Sequence, residues 1–323
     1  MKRSAGLVAL AVTLACTACG AATESPVPTP VRDASPILDV NCDGVADAVS
    51  GTPTADSPDG TRPATPGAVH VQFGGTGRVQ TVTQDELGDP APLFSGRFAG
   101  VGGVIAGDLD ADGCTDVVVS DPAAGGGRVW ALWGSPRGLA PDAASLLIVG
   151  SGSEQLGGVL AFVPRPDPVL VVSEESTRRV LRLYPLGADG SPGAPELLDV
   201  SSPVDRSAWN TDTFAWRLAA DDDLLVIGSP EYSDEGAGYP GEVFVVRFTT
   251  GFAHGVLRLA QDAPGVPGRH RLGDGFGDAV AISGDRLAIG VRDRAGADTT
   301  QLYDVGPGET PSVTWVETRS GTP

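Results

Sequence analysis

Five short apolar runs that each close on a small residue recur along the chain and limit what it can fold into. They are "DAVSG" to Gly51, "DVVVS" to Ser120, "VLVVS" to Ser173, "LLVIG" to Gly228 and "RLAIG" to Gly290, at intervals of 69, 53, 55 and 62 residues. Runs this short, β-branched and without helical periodicity read as buried strands. Self-similarity at such a period signals β units stacked radially or in a line rather than one wound sheet. Related strands lie upstream ("LGGVLAFV" from Leu156, "FAWRLAAD" from Phe214, "FGDAVAISGD" from Phe276) and downstream ("GAVHVQFG" at Gly67, "GRVWALWGSPRGL" at Gly127, "RRVLRLYPLG" at Arg178, "GEVFVVRF" at Gly241). A β-sandwich or β-solenoid is the competing reading, but neither demands the same strand order in each copy.

An upstream "FGxxVA", an Asp-rich loop, "DVVVSDP" or "LLVIGSP", and then "GxVxxxxG" together resemble the FG-GAP repeat of integrin-α-type β-propellers. The resemblance covers residues 37–323. It is specific in the second, fourth and fifth copies; the second has "GVGGVIAGD" in place of Phe-Gly, and the first shows no Phe-Gly strand. It implies an all-β propeller of about five four-stranded blades, with six as the alternative count. The missing first strand is expected from the C-terminal "SVTWVE", which would close the ring.

Two stretches pack aspartates into a few positions. Asp39, Asn41, Asp43 and Asp47 and then Asp108, Asp110, Asp112 and Asp116 occupy positions one, three, five and nine of matching loops, with Gly44 and Gly113 at position six. Calcium takes six to eight oxygens, and alternate residues of a tightly curled loop point inward together. The backbone carbonyls of Val45 and Cys114, at position seven, complete two expected Ca²⁺ sites. An EF-hand would place a glutamate at position twelve; Ser50 and Val119 stand there instead, already inside the next strand. An Asx-turn in water is the plain alternative, since Asp, Asn and Gly are ordinary turn residues. In the other copies Asp221 to Asp223 and Ser283 to Arg286 read as tight hairpin turns, the three aspartates as solvated, and Glu174 and Glu175 as lying in water.

The first nineteen residues, with Lys2 and Arg3, an apolar run from Ala5 to Ala15 and "CTACG", read as an export signal. Its end resembles a bacterial lipobox with Cys19 as the lipidated residue. Cys16 departs from that pattern where leucine is usual, so simple secretion is the alternative. Residues 20–36 are too poor in large apolar groups to order themselves and read as a tether. Beyond Cys19, only Cys42 and Cys114 remain, one in each Asp loop. Two cysteines in an exported chain normally pair; two independent buried thiols are the other reading. Removing residues 1–18 takes away two basic and no acidic residues, leaving 20 against 41 and a net charge of −21. Such a surface repels nucleic acid and anionic lipid.

His70, His254 and His270 share no metal-type spacing, and there is no G-x-S-x-G elbow or phosphate loop with a lysine; acidic residues are so widespread that paired carboxylates for glycoside chemistry stay open. The expectation is a monomeric, non-enzymatic binding, adhesion or scaffold module on the outer face of the cell membrane. Its partner would be a protein or glycan; a carbohydrate-active hydrolase or lyase on the same scaffold is the alternative. Tyr232 and Tyr239, aromatic residues among acids in the long "SPEYSDEGAGYPG" connection, are the candidate ligand-binding residues.

Overall fold

The computed structural model describes residues 37–53, 55–56, 63–65, 67–87, 103–122, 124–175, 179–198, 215–230, 241–250, 254–261, 263–269, 274–293 and 297–321. Cys19, the tether and the loop carrying Tyr232 and Tyr239 lie outside them.

Consecutive strands form consecutive antiparallel sheets. The first holds β1 (Ala48–Thr52), β4 (Ala68–Gln72) and β5 (Val79–Thr83), and a small hairpin of β2 (Ala55–Asp56) and β3 (Pro63–Thr65) interrupts it between β1 and β4. The second runs through β6 (Val104–Gly107), β7 (Asp116–Asp121), β8 (Arg128–Leu132) and β9 (Ser145–Val149). The third comprises β10 (Leu156–Val163), β11 (Val169–Glu175), β12 (Arg179–Pro185) and β13 (Glu196–Leu197). In the fourth lie β14 (Arg217–Asp221), β15 (Leu224–Ser229), β16 (Glu242–Phe248) and β17 (His254–Ala260), and in the fifth β18 (Gly275–Ser283), β19 (Arg286–Arg292), β20 (Thr299–Gly306) and β21 (Ser312–Ser320). The fold is thus all-β, a series of meander sheets compatible with a propeller-like arrangement.

The runs ending at Ser120, Ser173, Gly228 and Gly290 are each the second strand of a four-stranded sheet, whereas "DAVSG" is β1, an exposed edge of the three-stranded first sheet. β7, β11 and β15 read as unbroken hydrophobic because both their faces are covered. Val117 and Val119 of β7 pack with Val69, Val71 and Phe73 of the first sheet, while Val118 between them packs with Leu160, Leu170 and Val172 of the third. The same split recurs in β15, where Leu225 and Ile227 face the third sheet and Leu224 and Val226 face the fifth. Period-two alternation therefore carries side chains into two different cores, and four cores lie between five sheets in chain order. Among the described residues no core joins the fifth sheet back to the first.

The Gly of the upstream motif has a specific task. Between Phe276 and Ala279 the β18–β19 register shifts, and Gly277 in that bulge has φ +89°; Gly157 follows Leu156 at φ +94° in the matching bulge of β10. A Cβ at Gly277 would also stand 2.9 Å from Val243 of the preceding sheet. The glycine that opens the third strand meets this place from the other side: a Cβ on Gly241 would lie 2.2 Å from the Phe276 carbonyl oxygen. The two glycines let one sheet's third strand approach the next sheet's first strand closely, with Phe276 fully buried beside them.

Several expectations change. Ser312–Ser320 does not complete the first sheet: it is the fourth strand of the fifth, paired with β20 along its length. Just ahead of the Asp loop Asp47 N donates to Leu38 O at 2.6 Å, so Leu38 stands where Gly107, the last residue of β6, pairs with Asp116 in the second sheet. The Asp222–Asp223 turn is a two-residue hairpin, as is Gly284–Asp285, but its aspartates are not merely solvated. Asp221 accepts from Gly284 N at 2.7 Å, Asp222 meets Arg165 Nε at 2.8 Å and Asp223 meets Arg247 Nε at 3.3 Å, so the turn ties the third, fourth and fifth sheets together. Glu174 is likewise bound, to Arg182, which also holds Glu154. The Glu175 backbone N–H donates to Glu154 O, and both glutamates are half-buried rather than held out in water.

Candidate metal centre

The two Asp loops fold on the same hydrogen-bond frame. At position one, Asp39 accepts from Asp43 N (3.1 Å) and Gly44 N (2.7 Å), and Asp108 from Asp112 N (3.1 Å) and Gly113 N (3.1 Å). At position five, Asp43 accepts from Val45 N and Asp112 from Cys114 N, each at 2.8 Å. At position nine, Asp47 bridges Val40 N and Gly74 N, and Asp116 bridges Leu109 N and Gly134 N, the last bond in each case reaching into the hairpin after the third strand. Positions four and six are left-handed in both loops: Cys42 and Gly44 at φ 56° and 80°, Ala111 and Gly113 at 59° and 92°. A chain that must curl this sharply needs acceptors for its inward N–H groups, and short carboxylates supply them.

The loops also touch. Cys42 and Cys114 form a disulfide with Cα atoms 5.1 Å apart. Beside it Thr115 N donates to Asp39 O, Asp39 N to Thr115 Oγ1, and Ser135 N to Val40 O. Position four points away from the curl, which is why Cys42 is free to bridge, while Cys114 enters the second loop only through its backbone. The role of Thr115 as a latch had no signal in the sequence, since a threonine beginning a strand is unremarkable.

In the second loop, carboxylate oxygens of Asp108, Asp110 and Asp116 all lie within 4.8 Å of one another. Two oxygens each about 2.4 Å from one Ca²⁺ can be at most about 4.8 Å apart, so these three fit a single coordination sphere. All the donors are oxygens and both cysteines are spent in the disulfide, which suits a hard cation. Burial pushes the Asp116 carboxyl up to about 6, despite the opposing N–H bonds from Gly134 and Leu109, and the neighbouring Asp110 and Asp112 add to the rise. Asp108 is also raised, first by burial and then by Asp112 and Asp110, against the Gly113 N–H. Mutual repulsion of this kind is what a cation relieves.

The first loop differs at position three. Asn41 Nδ2 donates to Asp43 Oδ2 at 2.8 Å, and Asn41 Oδ1 is buried without a partner. Among the described residues, no group of three carboxylates in this loop converges as Asp108, Asp110 and Asp116 do.

The described histidines lie apart. His70 spans Thr52 Oγ1 (2.7 Å) and Thr81 Oγ1 (3.0 Å) across the first sheet; His254 opens β17 beside the Phe248 ring. His270 falls outside the described residues. Compared with models of known protein families and with curated proteins, the chain matches none.

Proposed function

We propose that this chain is a calcium-stabilised β-propeller of the FG-GAP type, exported, anchored through lipid on Cys19 at the outer face of the membrane, and working there as a binding, adhesion or scaffold module. The observation that carries the reading is the convergence of Asp108, Asp110 and Asp116 in a loop joining the first two strands of a repeated sheet. Asp39, Asn41, Asp43 and Asp47, with the Val45 carbonyl, would hold a second ion, and the Cys114 carbonyl would add to the first. An ion at such a site neutralises packed carboxylates and stiffens the loops; it does no chemistry in this reading. Five sheets packed in chain order through four cores support a five-bladed count; in a closed ring the fifth sheet would meet the first. The partner would be a protein or glycan, bound by a monomer through loops such as that of Tyr232 and Tyr239.

Thermal unfolding of the purified exported chain tests this. Millimolar calcium should raise the melting temperature, because an ion that binds only the folded state stabilises it by mass action. A melting temperature indifferent to calcium would remove the metal from the account.

A further inference from the structure

A pocket of about 380 Å³ opens where the third and fourth sheets meet, lined by Arg165, Pro166, Asp222, Asp223 and Phe248–Thr250. We propose that it binds an uncharged polyhydroxy ligand, a pyranose ring of a glycan. The inference rests on the reading of the chain as a binding module and assigns it a ligand class and a site whose lining includes neither Tyr232 nor Tyr239.

Charge balance decides the class. Arg165 on the lining stands against Asp222, and Arg247, buried behind the wall, stands against Asp223, so each lining carboxylate has its own counter-charge and the site selects for no net charge. What remains is polar and directional. The Arg165 Nε and Asp222 Oδ1 are 2.8 Å apart, but the oxygen is off the N–H axis and takes no hydrogen bond. The Arg165 side chain is 57% exposed and donates no hydrogen bond among the described residues. A guanidinium fork beside a carboxylate suits a pair of adjacent hydroxyls, which can accept from one and donate to the other. Thr250 adds a hydroxyl to the lining, Thr249 stands beside it, and Phe248, buried in the core between the sheets, forms the floor.

The rim is held by backbone bonds, Arg165 N to Asp222 O at 3.3 Å and Phe248 N to Asp223 O at 2.8 Å, so the pocket is formed before any ligand arrives. Its volume lies near the lower end of the roughly 300–1,000 Å³ typical of ligand sites, room for one or two sugar rings.

The test is amide chemical-shift mapping of the whole exported chain with the methyl pyranosides of glucose, galactose, mannose and N-acetylglucosamine. At least one should bind with millimolar affinity and shift Arg165, Asp222, Asp223, Thr249 and Thr250. Arg165→Ala should weaken that binding tenfold or more. Thr250→Val, which keeps shape, should weaken it several-fold with unchanged melting, and Arg286→Ala should leave it intact. Silence with all four sugars, shifts elsewhere only, or stronger binding of methylguanidinium at these residues would overturn the proposal. A chain that ignores sugars but still gains stability from calcium would fail this inference and keep the propeller reading; indifference to both would remove the two together.

Discussion

The loop at residues 39–47 and the loop at residues 108–116 share the turns and caps of one backbone frame and differ in charge at one position. Both curl through left-handed residues four and six and both are capped by aspartates one, five and nine. Yet only the second, with Asp110 where the first has Asn41, gathers three carboxylates within the span of one ion. The frame common to both loops is therefore built by N–H bonds to aspartates one, five and nine; at position three Asp110 Oδ1 takes one further, longer bond from Asp112 N (3.2 Å), where Asn41 instead donates to Asp43. The comparison separates what folds the loop from what would load it.

The largest effect should come from cutting the tie between the loops. Replacing Cys42 and Cys114 by serine releases a closure of 72 residues in the unfolded chain, for which chain-entropy models give roughly 4 kcal/mol of lost stability in urea unfolding. A loss well under 1 kcal/mol would mean that the loops are held together mainly by the Thr115 and Ser135 bonds.

Next come the position-nine caps. Asp116 is 1% exposed and Asp47 8%, and each serves two backbone N–H groups. Asp116→Ala should cost about 3 kcal/mol in calcium-free buffer and Asp47→Ala about 2, the price of orphaned buried donors. The reverse order would break the idea that the second loop is the more deeply built.

Asn41→Asp sharpens the comparison at the position that differs. It should raise calcium affinity of the first loop several-fold by adding a charged ligand, with stability in calcium-free buffer unchanged or slightly lower from repulsion with Asp43. An unchanged titration would show that position three is not a ligand there.

The smallest effect is a trend with pH. The Asp116 carboxyl is raised from its ordinary 3.8 to about 6 in the calcium-free fold, so between these values the folded state holds more proton than the unfolded one. Its contribution to stability is fully present below about pH 3.8 and is lost as pH rises through about 6. Calcium must displace that proton, so the stabilisation by calcium should grow over the same window, as melting curves taken at steps across it would report.

β7, β11 and β15 were legible in the sequence because burial on both faces makes them uniformly apolar, and β19, covered on one face, still falls where the run ending at Gly290 placed it. The outer strands β5 and β13 were not, since an edge strand with one half-exposed face needs no run of valines: β13 is Glu196–Leu197 alone. β20 was missed because "TTQLYDVG" lacks the opening glycine of its counterparts. Asp loops were legible as loops from Gly44 and Gly113 at fixed offsets. That Asp221 to Asp223 would tie their own sheet to the two beside it was not, because each partner (Gly284, Arg165, Arg247) is brought there by packing of other strands and carries no local mark.

Equilibrium dialysis against labelled calcium tests the account most directly, on the exported chain beside Asp110→Ala and Asp39→Ala. Two ions should bind to the parent chain, with dissociation constants on the order of 10⁻⁴ to 10⁻³ M as at extracellular sites, and each variant should retain one. Asp110→Ala should lose the tighter of the two. No bound calcium at millimolar concentration, or two ions persisting in both variants, would contradict the assignment of these loops to the metal.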